Sequence, residues 1–259
     1  MWGAIAGDVI GSVYEGHPGL PEDFELVHPH AQPTDDSVLT LAIADALLTG
    51  TDYATALRTW GRRYPRAGYG GGFHAWLQAD DAGPYQSFGN GSAMRVSPVA
   101  WAFDSLERIL AEAEASAAPT HDHPEGVKGA QSVAAAIFVV RTGGSLSDLR
   151  TVFEQRFGYD CSTTYAELRA RHTFDVTCMG TVPVAATCAL LSTSVEDAIR
   201  KAVSLGGDAD TLGCITGSIA EAMYGGVPRT LRELVSARLP DELRLVAERF
   251  TARFGVPMA

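Results

Sequence analysis

Two short acidic stretches indicate the fold of this chain most clearly: Thr34-Asp35-Asp36-Ser37 and Gly206-Gly207-Asp208-Ala209-Asp210-Thr211. Each sets carboxylates beside a threonine hydroxyl, directly before an apolar stretch with helical spacing. Such residues are typical of helix N-termini, and capping alone would explain either stretch. Their oxygens are also ligands that suit Mg²⁺, Mn²⁺ or Ca²⁺ rather than Zn²⁺. If folding brings the two stretches together, the sequence predicts a metal site.

Helical periodicity dominates the rest of the chain. Apolar residues recur at helical spacing, as in Leu39, Ile43 and Leu47, and sustained alternation with a period of two is scarce. Alanine and leucine, both good helix formers, fill most segments. Short connections containing Gly, Pro and Asp join the segments, and none resembles a flexible interdomain linker. We therefore predict an all-α fold, with one domain over residues 1–259 built from about ten or more helices.

Three glycines spaced by four residues, Gly3, Gly7 and Gly11, share one face of the first predicted helix. Glycine weakens a helix interior by about 1 kcal/mol relative to alanine. The repetition therefore indicates close approach by another helix or by a ligand. Asp8 and Glu15 lie two turns apart on this helix, roughly 10 Å along its axis at about 1.5 Å per residue. We do not expect them to act as a joint ligand pair, although Glu15 can lean into a site from the helix end.

The bulk composition excludes several classes of protein. The chain is 46 % apolar and 20 % charged, ordinary values for a globular protein, which argues against disorder. Its net charge of −11 argues against nonspecific binding to nucleic acid or to an anionic membrane. No signal peptide or membrane-spanning stretch is evident, so a cytoplasmic protein is expected. The four cysteines lack CxxC spacing, and we expect buried, reduced thiols.

Glycine-containing loops lie between the two acidic stretches. Ser87-Phe88-Gly89-Asn90-Gly91 can present backbone N–H groups as an anion nest, and Phe88 can stack on a base. This loop lacks the ending of a Walker motif, and a plain turn before a helix is the alternative. Gly68-Tyr69-Gly70-Gly71-Gly72 is a second glycine cluster, with more consecutive glycines than a simple connection needs. A mobile loop without a binding role is the alternative interpretation of this cluster. Thr120-His121-Asp122-His123 has no third soft ligand nearby, so a polar loop explains it better than a zinc site.

Together these stretches resemble the ADP-ribosylglycohydrolase family. The resemblance covers nearly the whole chain, and the ordered set is specific although any one motif is not. In order, the motifs are Gly7-Asp8-Val9-Ile10-Gly11-Ser12-Val13-Tyr14-Glu15, Thr34-Asp35-Asp36-Ser37, Gly68-Tyr69-Gly70, Gly89-Asn90-Gly91-Ser92-Ala93-Met94-Arg95, Thr120-His121, Cys178-Met179-Gly180-Thr181-Val182-Pro183 and Gly206-Gly207-Asp208-Ala209-Asp210-Thr211. The resemblance implies a single-domain orthogonal multi-helix bundle of that family's type.

A centre of two Mg²⁺ or Mn²⁺ ions is also implied by the resemblance. The ions would be held by two half-sites, which are Thr34, Asp35 and Asp36 in one and Asp208, Asp210 and Thr211 in the other. Glu15 and Asp35 would be the acid–base residues, and Glu15 matches an acid beside the metals in the serine-linkage branch of the family. ADP-ribose would be held by Gly70, Ser87, Phe88, Gly89, Asn90, Gly91 and His121. Phe88 stands where a tyrosine can occur, so we expect adenine stacking without a hydroxyl contact.

The function implied is Mg²⁺-dependent hydrolysis of the C1″ N- or O-glycosidic bond of an ADP-ribosylated acceptor, with serine-linked ADP-ribose favoured. Arginine, a nucleobase or a small molecule is an alternative acceptor. A non-catalytic ADP-ribose reader and a structural homologue are alternatives of another class. The expected partners are ADP-ribose and an ADP-ribosylated protein or other acceptor, and the chain is expected to be a monomer.

Overall fold

The computed structural model describes residues 1–255, and the predicted domain boundary at Ala259 lies outside them. The prediction of an all-α fold is confirmed, since helices account for the regular structure of the described part. The α-helices are α1 (Trp2–Gly11), α2 (Asp35–Thr49), α3 (Tyr53–Arg63), α4 (Gly71–Gln78), α5 (Gly91–Met94), α6 (Val99–Ala102), α7 (Leu106–Ala117), α8 (Pro124–Arg141), α9 (Leu146–Thr151), α10 (Tyr165–Arg171), α11 (Cys178–Leu190), α12 (Val195–Val203), α13 (Ala209–Met223), α14 (Arg229–Ser236) and α15 (Asp241–Phe254). A π-helical turn, Val152–Arg156, follows α9.

Helices α1 and α13 form the centre of the bundle. Every residue of α1 is buried, and α13 is buried from Ala209 to Ala222. A helix enclosed on all sides belongs to the interior of a protein rather than to its surface. Helix α13 packs against α1, α8, α11 and α12, and α1 also contacts α2. The N-termini of α2 and α13, which carry the two acidic stretches, are therefore both tied to α1.

The glycine face of α1 lies against the backbone of α13, as its spacing predicts. A Cβ atom on Gly7 would lie 1.9 Å from the carbonyl oxygen of Gly213, and one on Gly3 would lie 2.0 Å from that of Gly217. Any side chain larger than hydrogen would push the two helices apart. Gly11 lies against the backbone of Asp210 in the same way. The glycines thus allow the approach that brings the C-terminus of α1 to the N-terminus of α13.

Glu15 lies beyond the end of α1, which corrects the expectation that it shares a helix with Asp8. The helix ends at Gly11, and residues 12–16 form turns. The backbone N–H of Gly16 donates to the carbonyl of Gly207 (2.7 Å), and the N–H of Gly207 donates to that of His17 (2.9 Å). These two bonds fix the turn that carries Glu15 against the residues just before Asp208.

The four cysteines are free and buried, as expected. In the second glycine cluster only residues 68–70 form a connection, because Gly71 and Gly72 begin α4. Among residues 1–255, no helix combines the length and apolar character needed to cross a membrane.

Candidate metal centre

The start of α2 is capped by Thr34 and held by Asp8 of α1. The Thr34 hydroxyl accepts from the backbone N–H of Asp36 (3.3 Å) and donates to Asp8 Oδ1 (2.6 Å). Asp8 Oδ2 accepts from the backbone N–H groups of Thr34 and Ser37, each at 3.0 Å. Asp8 therefore anchors the first acidic stretch. Sequence reasoning assigned Asp8 no place in the site, although its position among the α1 glycines was the available signal.

The start of α13 is built differently, because Asp208 occupies the N-cap position without capping through its side chain. Gly206 (φ 75°) and Gly207 (φ 67°) adopt left-handed backbone conformations that turn the chain into the helix. The Asp208 carboxylate instead accepts a hydrogen bond from Asn90 Nδ2 (2.6 Å). Helix capping thus explains the hydroxyl of Thr34 but leaves the side chain of Asp208 unexplained.

The fold brings the two acidic stretches together. Carboxylate oxygens of Asp8, Asp36 and Asp210 lie within 4.8 Å of one another, and so do those of Glu15, Asp208 and Asp210. Asp210 belongs to both groups, which makes them neighbours.

Two predicted ligands lie beside these groups rather than in them. The Thr211 hydroxyl donates to Asp36 Oδ2 (3.3 Å), so the second threonine also faces the first stretch. Asp35 belongs to neither group of three. The carboxylates of the two stretches thus converge, while Asp35 lies at their edge.

The electrostatics of this cluster are unfavourable without a cation. Burial and then the charge of Asp210 raise the pKa of Asp36 well above its usual value. Burial and then the charge of Asp208 do the same for Asp210. Burial followed by the charge of Asp8 raises the pKa of Asp35 to about 8. Glu15 is more exposed, and its pKa is also raised by burial and by Asp208.

The cluster fits a divalent cation. Among residues 1–255, no lysine or arginine forms an ion pair with any of these carboxylates. Asp36 Oδ1 is buried and has no hydrogen-bond donor in that part of the chain. Buried charges are normally paired or bound to metals. An all-oxygen set of this kind matches the ligand preference of Mg²⁺, Mn²⁺ or Ca²⁺.

A cavity of about 430 Å³ connects this cluster to the glycine loop. The predicted residues that line it are Glu15, Thr34, Asp35, Asp36, Gly70, Ser87, Gly89, Asn90, Gly91, His121, Asp208, Asp210 and Thr211. Phe88 does not line it; this residue is 45 % exposed, and its ring lies beside His123, at 5.4 Å between centroids. Sequence reasoning gave no role to Tyr85, Phe174 and Val176, which also line the cavity. No motif signals these residues, because the tertiary fold brings them to the wall.

The glycine loop leads into a helix, since Asn90 forms a turn and Gly91 begins α5, while the residues before them pair with the segment before α11. The backbone N–H of Asn90 donates to the carbonyl of Val176 (2.8 Å), and the N–H of Cys178 donates to that of Phe88 (2.9 Å). Gly89 pairs with Thr177 as an isolated β-bridge. The loop is thus braced by the segment before α11, and its glycines face the cavity.

The histidine pair at 121 and 123 shows no zinc geometry. His123 accepts from the backbone N–H of Glu125 (3.1 Å) at the start of α8, while His121 Nδ1 lies 2.7 Å from the Thr120 hydroxyl. Among the described residues, neither histidine belongs to a group of three ligands. The interpretation of this segment as a polar loop before a helix agrees with that geometry.

We expect the metal-free protein to lose stability as the pH rises from about 6.5 to 8.5. Raised carboxyl pKa values mean that the native state binds more protons than the unfolded chain, so rising pH favours unfolding. The lowered pKa values of His121 and His172 act in the opposite direction only below about pH 6.5. Calorimetry in EDTA should show the fall, and Asp35→Asn should reduce it. A melting temperature independent of pH in this window would contradict the charge arrangement.

Three comparisons with known proteins agree with one another. Residues 1–258 match the ADP-ribosylglycohydrolase family. The chain is 26 % identical to "ADP-ribosylhydrolase ARH3" of Danio rerio, over 98 % of this chain and 90 % of that protein. It is also 26 % identical to the Homo sapiens protein of the same name, over 86 % of this chain and 84 % of that one.

A solved structure described as an "ADP-ribosylglycohydrolase-related protein complex" superposes with a TM-score of 0.75 at 24 % identity. The superposition covers 96 % of this chain and 94 % of that one, and shows the same fold. The predicted multi-helix bundle of this type is therefore confirmed. Because the family match extends over nearly the whole length, the chain belongs to the ADP-ribosylglycohydrolase family of glycosidic-bond hydrolases.

Proposed function

We propose that this protein hydrolyses the C1″ glycosidic bond between ADP-ribose and an acceptor, with two Mg²⁺ or Mn²⁺ ions and with serine-linked ADP-ribose as the favoured substrate. The ions would be held by Thr34, Asp35 and Asp36 on one side and by Asp208, Asp210 and Thr211 on the other. Similarity to proteins named ADP-ribosylhydrolase ARH3 supports the substrate class. The protein would act as a monomer in the cytoplasm.

One observation carries the proposal. Glu15, Asp208 and Asp210 lie on the wall of the same cavity as Gly89, Gly91 and His121. A ligand with a diphosphate at one end and a reactive sugar at the other would place its diphosphate by the donors and its sugar by the acids. Because the chain is acidic overall, local N–H donors and cations are needed to hold an anion there.

Different residues of this cavity would bind different parts of ADP-ribose. The backbone of Gly89 and Gly91, with Ser87 and His121, would bind the diphosphate, and Gly70 also lines the cavity. Phe88 stands outside the cavity wall, where it could cover an adenine from the rim. Asn90 orients Asp208 through the 2.6 Å hydrogen bond to its carboxylate. The carboxylates of both stretches would surround the hydroxyl groups of the terminal ribose.

Hydrolysis requires water to attack C1″ while the bond from C1″ to the acceptor atom breaks. One carboxyl group must accept the proton that water loses, and another must donate a proton to the departing acceptor atom. Glu15 and Asp35 are the two acids that would do this, because both line the cavity. Within residues 1–255 neither accepts a hydrogen bond from another residue, whereas Asp36, Asp208 and Asp210 each do. When bound at these carboxylates, the cations would supply positive charge close to the attacking water and the sugar oxygens.

Replacing Glu15 with glutamine is expected to lower hydrolysis of a serine-ADP-ribosylated peptide by about 10²- to 10⁴-fold, the usual contribution of acid–base catalysis. Affinity for free ADP-ribose should stay close to that of the wild type, because the diphosphate contacts proposed for Gly89, Gly91 and His121 remain in place. Release of ADP-ribose is the measurement. Glu25→Gln, an exposed glutamate in the same loop region, is the matched control and should be fully active.

A panel of serine-, arginine- and nucleobase-linked ADP-ribose, with and without Mg²⁺, tests the acceptor. We expect Mg²⁺-dependent release that is fastest from serine. Faster release from arginine or a nucleobase would contradict the serine preference. Binding of ADP-ribose without release from any substrate would mean that the protein is a reader, and binding of neither ADP-ribose nor Mg²⁺ would favour a structural role.

A further inference from the structure

We propose that Arg95 and Thr120 fix the tautomer of His121, so that this histidine always presents an Nε2–H donor to the ligand cavity. The inference rests on the proposed function and deepens it, because it explains how one wall of the site is prepared for an anionic ligand. His121 is the residue that would touch the ligand. Arg95 and Thr120 are positioning residues that act through it.

A chain of short hydrogen bonds connects the three side chains. Arg95 is completely buried, and its Nη2 donates to the carbonyl of Ser116 (3.0 Å) and to the Thr120 hydroxyl (2.9 Å). The Thr120 hydroxyl oxygen in turn lies 2.7 Å from His121 Nδ1. A guanidinium group has only donors, so the Thr120 oxygen must accept from Arg95.

The direction of the second bond follows from the first. Thr120 is completely buried, and its single hydroxyl proton needs an acceptor. Among residues 1–255, His121 Nδ1 is the one acceptor found within reach of that proton. If Nδ1 accepts, it carries a lone pair, and the proton of the neutral imidazole must reside on Nε2.

Nε2 faces the glycine loop and the cavity. Cβ atoms built on Gly91 and Gly89 would lie 3.2 Å and 3.6 Å from it. His121 lines the cavity, and the described part of the chain offers no acceptor for Nε2. Burial, followed by the positive charge of Arg95, lowers the pKa of His121 well below its usual value, which keeps the ring neutral. The geometry thus gives a directed donor that waits for an oxygen acceptor such as a diphosphate.

Two pairs of variants test this chain of hydrogen bonds, and each pair contains one conservative substitution. Thr120→Ser keeps the hydroxyl, whereas Thr120→Val removes it at nearly the same volume. His121→Gln places an amide near the position of Nε2, whereas His121→Asn places one near Nδ1. We expect Thr120→Val and His121→Asn to raise the Kd for ADP-ribose about tenfold or more, the effect of one hydrogen bond to a charged ligand. Thr120→Ser should stay within about threefold of the wild type, and His121→Gln should bind ADP-ribose more tightly than His121→Asn.

Nitrogen-15 NMR of the ligand-free protein reports the tautomer directly. The wild type and Thr120→Ser should carry the His121 proton on Nε2 alone, and Thr120→Val should show a mixture of tautomers. A proton on Nδ1 in the wild type would overturn the proposal. An unchanged spectrum in Thr120→Val would also overturn it, even with weaker binding, because the loss would then come from packing. If the wild type fails to bind ADP-ribose, the proposed function is wrong. The ligand-free spectra still show whether Thr120 fixes the tautomer of His121.

Discussion

Replacing Asp210 with alanine is expected to reduce hydrolysis of the glycosidic bond by about 10³-fold or more. Asp210 belongs to both carboxylate groups, so its loss removes a carboxylate from each of them. Cations at such sites supply several kcal/mol of transition-state stabilisation, and each 1.36 kcal/mol corresponds to a factor of ten in rate. Titration calorimetry should show that Mg²⁺ or Mn²⁺ binding is lost together with turnover.

We do not expect Asp210→Ala to lose turnover through unfolding. The melting temperature of the metal-free variant checks this expectation. The charge of Asp210 raises the pKa of its neighbour Asp36. Removing that charge relieves repulsion, so metal-free Asp210→Ala should melt at or above the wild-type temperature near pH 8. Asp80→Ala is the control, because the side chain of Asp80 is 88 % exposed. Full activity in Asp210→Ala would exclude the proposed role of this residue.

Replacing Gly7 with alanine is expected to lower the free energy of unfolding by about 2 kcal/mol or more. The added Cβ would lie 1.9 Å from the carbonyl oxygen of Gly213, and a clash with backbone requires a helix to move. Overpacking of this kind costs about 3 kcal/mol, while the better helix propensity of alanine returns only about 1 kcal/mol. For a protein of this size the melting temperature should fall by roughly 4 to 8 °C.

The same substitution at another glycine is the control, because it adds the same methyl group without the steric clash. A Cβ on Gly83 would meet nothing within 4 Å, so Gly83→Ala should change stability by less than about 0.5 kcal/mol. Gly7→Ala should also reduce activity, because α1 carries Asp8 and leads directly into the turn of Glu15. Equal melting temperatures for the two variants would show that α1 and α13 do not approach as closely as described.

Local patterns in the sequence predicted much of the fold. Helical spacing predicted α2, since the repeat of Leu39, Ile43 and Leu47 is long enough to be distinguished from a strand. The glycine spacing of α1 predicted a close helix contact without identifying its partner. The partner is α13, more than 200 residues away in the chain, and no local pattern encodes such a distant pairing.

The carboxylates of the site were predictable, but their arrangement was not. Asp36, Asp208 and Asp210 stood out because each lies within three residues of a threonine at a predicted helix start. Asp8 was overlooked, since its role depends on the contact between α1 and the start of α2. Glu15 was assigned to the helix itself because nothing in the sequence marks Gly11 as the end of α1. The wall residues Tyr85, Phe174 and Val176 carry no local signal at all.

The proposed cation-dependent hydrolysis is tested most directly by one measurement. ADP-ribose release from a serine-ADP-ribosylated peptide is followed with protein stripped by EDTA, while Mg²⁺ is added back in steps. We predict no release above background in EDTA and recovery of turnover as Mg²⁺ saturates the carboxylate cluster. Undiminished turnover in the stripped protein would contradict a catalytic metal centre built from Asp36, Asp208 and Asp210.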